Sequence, residues 1–199
     1  MHTKDTSSLR QAECSRTNER VREMAESSAI SDEKFLENRI VFMQGDFDEK
    51  TCNKLARELL YLSIKDEKKD VTIYIDSYGG AAYGLLNILN IIDAAPYKVT
   101  TIAMGKAMSA GAFLLLYGNT RLAYQNTRIM LHELTYKTGY AKLHDQKVDY
   151  EESRELQKIM SKIVAKRTKI KNVDEFLKVD QFMDAATAKR LGVIDAIRR

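Results

Sequence analysis

Val71-Thr72-Ile73-Tyr74-Ile75-Asp76-Ser77-Tyr78-Gly79-Gly80 joins a β-branched and aromatic run to a polar stretch closed by two glycines. The composition reads as a short strand, Val71 to Ile75, followed by a tight turn. Ala81 to Ala94 reads as a helix, and the one proline of the chain, Pro96, stands just beyond it, where a helix is expected to have ended. Working toward the amino end, Glu49 to Ile64 places Leu55, Leu59, Leu60 and Leu62 at roughly helical spacing behind a strand-like run, Arg39 to Gln44. Toward the carboxyl end, Lys98 to Met104 is a strand, Ser109 to Tyr117 an apolar buried helix, and Arg121 to Tyr124 and Arg128 to Leu134 two further strand-like runs. Short apolar runs alternating with helical patterns are the signature of an α/β protein built around a mostly parallel sheet.

From Leu143 to Thr168 the chain is helical in pattern but heavily charged, with Val148, Leu156, Ile159 and Ile163 as sparse apolar points. A helix of that length with so little apolar surface seldom packs wholly within its own domain, so a partner subunit is a plausible cover. Two short helices follow, Val173 to Lys178 and Asp184 to Leu191, the second with Asp184 as N-cap and Gly192 as its stop. Residues 1 to 32 are rich in Ser, Thr, Arg and Glu and poor in large apolar side chains, which predicts a flexible tail or removable leader ahead of a single domain at 33–199.

Composition narrows the function classes. The 32 Lys and Arg are balanced by 28 Asp and Glu and interspersed with them, which argues against a nucleic-acid surface. The densest basic stretch, Lys166 to Lys171, reads as a solvated helix end or turn, with a polyanion site as the alternative. Cys14 and Cys52 make no metal or disulfide spacing, so no metal, no cofactor and a reducing cytoplasm are expected. No apolar run approaches the roughly 18 residues that span a bilayer, and none forms a signal core before Glu37; no membrane association is expected.

Gly105-Lys106-Ala107-Met108-Ser109-Ala110-Gly111-Ala112 follows a strand and opens a helix, placing the Ser109 hydroxyl at a helix N-terminus by the carboxyl ends of the strands. Small neighbours admit a substrate backbone, and free N–H groups of the first turn suit an oxyanion. An N-cap serine on a close-packed helix explains the same residues. A serine nucleophile needs a base, usually His. Of three histidines, His2 lies in the tail and His144 in the polar helix, leaving His132, which could equally be a satisfied core or rim residue. A carboxylate should orient the base. Asp184 reads as a cap and Asp195 as a terminal turn residue, leaving Asp180, whose alternative is an ordinary loop acid. Gly79-Gly80 offers a backbone N–H for an oxyanion hole or is a plain turn.

In this order the pieces resemble the proteolytic subunit of the Clp protease, from about Phe35 to Ile197. Asp76 to Gly80 is similar to that family's Ser-Pro-Gly-Gly turn, Met104 to Phe113 to its nucleophile segment, Arg128 to His132 to its base strand, and Asp180 to Asp195 to its acid segment and closing helix. The resemblance implies a ClpP/crotonase-like spiral of ββα units with a protruding handle helix. It also implies a triad of Ser109, His132 and Asp180 with oxyanion donors at Gly80 and Ala110, polypeptide substrates, and heptameric rings of identical chains that pair through the handle. An unfoldase ATPase partner is implied too, although the amino-terminal region does not match the family's axial segment. Tyr78 replaces a proline, Met108 and Ala110 alter the surroundings of the serine, Glu133-Leu134 replaces Gln-Pro, and Lys178-Val179 replaces an Asp-Arg pair that ties ring pairing to the active site. A prohead-type maturation protease on the same fold, a crotonase-type acyl-CoA enzyme and a non-catalytic ring subunit are the competing readings.

Overall fold

The computed structural model of the chain describes residues 32–135 and 142–198. The expected tail, with His2 and Cys14, lies outside the described residues up to position 31. Arg39 onward forms one compact unit. The described part of what precedes it is helical at 32–37, and the Asn38 side chain donates to the Lys34 carbonyl.

The unit begins with β1, Ile40–Phe47, and α1, Glu49–Lys65. Asp48 caps α1 by accepting the Thr51 N–H at 2.7 Å, and Cys52, Leu55, Ala56, Leu59 and Leu62 recur at the three-to-four spacing that buries one face. β2, Val71–Gly80, leads into α2, Ala82–Ala94, and β3, Val99–Met108, into α3, Ala110–Tyr117. β4, Thr120–Tyr124, and β5, Arg128–Leu131, precede the long α4, Leu143–Arg167. The chain closes with α5, Val173–Leu177, β6, Gln181–Asp184, α6, Ala185–Arg190, and β7, Ala196–Arg198.

The strands β1-β2-β3-β4-β7 form a sheet in that order, all of it parallel. This is the expected mixed α/β fold. Its core is the layer between sheet and helices, where Leu55, Ile73, Ile88, Leu114 and Leu116 have no exposed surface. β3 changes neighbours along its length. Thr100 to Ala103 pair with β4, whereas Lys106 to Met108 pair with β5, which in turn pairs antiparallel with β6. Thr127 marks the change, its buried hydroxyl donating to the carbonyls of Ala103 and Met104.

The glycine-rich stretch departs from the expected turn. β2 runs straight through it, with Asp46 and Phe47 paired to Gly79 and Gly80, so those glycines belong to the ladder. The β2–β3 register slips between Ile75, opposite Ala103, and Ser77, opposite Ala107. Asp76 fills the irregularity: its carboxylate accepts the Lys106 N–H at 3.0 Å and the Lys106 ammonium at 3.2 Å. β5 is shorter than the expected Arg128 to Leu134, because the N–H groups of Glu133 and Leu134 bond outside the sheet, to Leu177 and Gln157. Asp195, expected to be a terminal turn residue, instead receives the backbone N–H, Nε and Nη2 of Arg121.

Candidate active site

Ser109 is the single residue between the end of β3 and the start of α3, with φ 51° and ψ −124°. A non-glycine residue held there costs about 1–3 kcal/mol, so neighbouring contacts must impose it. They are present on both sides. The Ser109 N–H donates to the Met130 carbonyl of β5 at 2.9 Å, and its carbonyl accepts from Ala112 and Phe113 at 2.9 and 3.1 Å. Its hydroxyl makes no capping bond to the helix. Ser109 thus holds the N-cap position through its backbone carbonyl, and its side-chain oxygen is not committed to holding α3.

Gly79 explains why the β2 end can lie so close. A Cβ there would stand 2.6 Å from Ser109 Cβ and 2.9 Å from the Ala110 nitrogen, and φ is +105°. Only glycine meets both conditions. The Gly79 N–H is spent on the buried Ser77 hydroxyl at 3.0 Å, and the Ala81 N–H on the Phe47 carbonyl of β1 at 2.9 Å. Successive strand N–H groups point to opposite sides, so with Ala81 facing β1 the Gly80 N–H faces away from it. Ala110 is the first residue of α3, where N–H groups lack intrahelical acceptors.

His132 follows β5 and Asp180 precedes β6. The antiparallel pairing of Leu131 with Gln181 brings them together, with His132 Nδ1 3.9 Å from Asp180 Oδ1. That is an ion-pair separation and longer than a hydrogen bond. His132 is mostly buried, with 14% of its side chain exposed, whereas Asp180 is 62% exposed. Asp180 is expected between two short helices; the structure sets β6 between Asp180 and α6, and that strand is what aligns it with the histidine.

Ser109, Ala110, Gly80 and His132 all line one cleft of about 260 Å³. Leu85, Phe113, Leu156 and Met160 form apolar walls, and Tyr83, Glu133 and Ser153 also line the cleft. Leu156 and Met160 come from α4, which thus reaches the cleft as well as carrying the solvent-exposed Leu143, Val148 and Tyr150. Tyr83 donates to Glu152 of the same helix at 2.7 Å. Sequence reasoning missed these α4 residues, although Ser153, Leu156 and Met160 recur at helical spacing, which would have placed them on one face. Among the described residues no group of three or more His, Cys, Asp or Glu could hold a metal ion.

A parallel sheet with a cleft at its carboxyl ends, lined by a strained serine and a histidine, makes the chain an α/β protein with its candidate site where open α/β sheets bind ligands. The sequence matches the Clp protease family over residues 23–199. Among curated relatives, an ATP-dependent Clp protease proteolytic subunit of Cyanophora paradoxa is 32% identical, covering 82% of this chain and 86% of its own length. An ATP-dependent Clp protease proteolytic subunit 2 of Bacillus licheniformis is 34% identical, covering 82% and 88%. The chain belongs to the Clp protease family and is a ClpP-like peptidase.

Proposed function

We propose that the protein is a serine endopeptidase that cleaves unfolded polypeptides, with Ser109 as nucleophile, His132 as general base and Asp180 orienting the base. The observation that carries this is the strained Ser109, whose hydroxyl makes no capping bond, in the same cleft as His132. The hydroxyl attacks the scissile carbonyl as its proton passes to the imidazole, and the negative oxygen is received by the N–H groups of Gly80 and Ala110. The imidazolium then protonates the leaving amine, and water, activated by the same base, releases the acyl group. Asp180 stabilises the cation, which requires the 3.9 Å gap to close when substrate binds. Mass spectrometry after a fluorophosphonate probe tests the assignment: the adduct belongs on Ser109, and an unlabelled chain without peptide hydrolysis would make it a non-catalytic ring subunit.

The same reading includes a flexible tail or leader through residue 32, a peptidase domain from residue 33, a cytoplasmic place of action, and a homo-oligomer of heptameric rings served by an unfoldase ATPase. The relatives' names, which describe proteolytic subunits of an ATP-dependent protease, support assembly into a larger protease that works with an ATPase. Leu143, at 84% exposed, and Val148 and Tyr150 leave the first turns of α4 without cover in the single chain, which suits contact with a second ring. Lys178 is held by Glu175 at 2.6 Å, and the neighbouring Val179 is exposed and uncharged. Ring pairing through an ion pair at these positions is thereby lost, and it rests on α4 and is weaker. Native mass spectrometry over a dilution series checks this: a double ring that never dissociates would refute the weaker pairing, and a strict monomer would refute the ring.

A further inference from the structure

Past His132 the chain leaves the sheet, and the next two N–H groups need acceptors elsewhere. Glu133 donates to the Leu177 carbonyl at the end of α5, at 2.7 Å. Leu134 donates to Oε1 of Gln157 on α4, at 2.8 Å. Gln157 in turn donates through Nε2 to the Ser161 hydroxyl, one turn along the helix, at 3.2 Å. Ser161 donates to Asp174 Oδ1 on α5 at 2.7 Å. These four bonds close a ring through α4, α5 and the segment after His132.

The ring brackets the two residues whose separation matters. His132 directly precedes Glu133, and Asp180 lies three positions beyond Leu177. A movement of α4 relative to α5 therefore pulls on both members of the 3.9 Å His132–Asp180 pair. The residue type at 157 is specific to the task. An amide offers an acceptor and a donor on one planar group, so it can receive the Leu134 N–H and pass a hydrogen bond to Ser161, which neither a lysine nor an apolar side chain can do. Gln157 does not line the cleft, whereas Leu156 and Met160 beside it on α4 do.

We propose that Gln157 is a positioning residue for His132 and Asp180, acting with Ser161 and Asp174 so that the placement of α4 sets the geometry of the base and its acid. The proposal rests on the reading of Ser109, His132 and Asp180 as the catalytic set. Gln157 does not line the cleft but Leu134, whose N–H it holds, does, so its loss falls chiefly on kcat with a smaller change in KM. A misplacement of about 1 Å at a reacting group can cost about 100-fold, so a kcat loss of about 10- to 100-fold is expected for Gln157→Leu. Leucine suits a helix as well as glutamine does, so α4 itself is retained. Gln157→Glu keeps the acceptor for Leu134 but loses the donor to Ser161, so it recovers only part of kcat.

The test uses the full-length assembled protein, with kcat and KM from a fluorogenic peptide, the rate of fluorophosphonate labelling at Ser109, and thermal melting for each variant. The expected result is labelled wild type, Gln157→Leu slowed in kcat and in labelling far more than KM rises, and partial recovery in Gln157→Glu. Labelled wild type with an equally fast Gln157→Leu overturns the positioning role alone, as does a Gln157→Glu no faster than Gln157→Leu. Wild type that is never labelled overturns the catalytic reading beneath it. Should Gln157→Leu melt early, Ser161→Ala decides: a fall in kcat larger than any change in KM supports the relay, and wild-type kcat refutes it.

Discussion

Gly79→Ala is the sharpest local perturbation of the site, since the added methyl group would lie 2.6 Å from Ser109 Cβ, 2.8 Å from the Met108 carbonyl oxygen and 2.9 Å from the Ala110 nitrogen. Carbon atoms rest about 3.5–4.0 Å apart, so relief demands a shift of roughly 1 Å by one segment or the other. Holding alanine at φ +105° adds strain of about 1–3 kcal/mol, and overpacking adds about 1–3 kcal/mol more. The total, roughly 2–6 kcal/mol, is a large part of the 5–15 kcal/mol that typically holds a domain together. Displacing the nucleophile by about 1 Å should also slow acylation about 100-fold. Gly45→Ala serves as the control: its φ is +81°, yet a Cβ there meets nothing within 4 Å, so it should lose stability through backbone strain alone and keep its acylation rate. The assay is the fluorophosphonate labelling rate at Ser109 alongside urea unfolding of both variants. Labelling of Gly79→Ala at the wild-type rate would refute the claim that the β2 end and the serine are locked together.

Three further outcomes follow from the charges. His132→Ala removes the group that takes the Ser109 proton, so peptide hydrolysis should fall by about 10³-fold or more; undiminished hydrolysis would remove His132 as base. Burial raises the pKa of Asp195, but the hydrogen bonds from Arg121 outweigh it and the net shift is downward. Asp195→Asn should therefore cost about 1 kcal/mol, a modest figure because the carboxylate is 41% exposed. That difference should be complete above the unfolded value of about 3.9 and fade as pH falls below it, readable as converging urea midpoints. Burial, and then the hydrogen bond to Asp93, push Tyr117 up to about 12, so its stabilisation is complete below the unfolded value of about 10 and lost as pH rises toward 12. Tyr83 and Tyr97 are raised as well, so an absorbance titration should show several late phenolate steps, of which the Tyr117 step moves to lower pH in Asp93→Asn.

The central strands were legible in the sequence because a buried parallel strand writes itself as a β-branched run, as Val71 to Ile75 and Lys98 to Met104 do. Asp184 was legible as a cap for the same local reason, and it accepts the Thr187 N–H at 2.7 Å. β6 was not legible. Of its four residues only Met183 is buried, Phe182 is exposed, and the partner strand lies some fifty positions earlier, so no local pattern announces it. Ser109 shows a second kind of limit. The small residues around it suit a capping hydroxyl or a free one equally, and the missing bond from the hydroxyl to α3 is what separates the two. In the basic run, Arg167 proves more than a solvated helix end, since it stacks on the Tyr117 ring at 4.6 Å and donates to the Gly118 carbonyl. Gln157 is one polar residue among many on α4, and its role depends on a backbone N–H from another part of the chain.

Cleavage of an unstructured protein by the full-length chain, compared between wild type and Ser109→Ala at matched assembly state, tests the account most directly. Wild type should degrade the substrate to short peptides, and the variant, which loses only one side-chain oxygen, should fold and assemble alike while its rate falls roughly 10⁴-fold or more. Persistent hydrolysis by Ser109→Ala that resists the fluorophosphonate probe would contradict the assignment of the nucleophile.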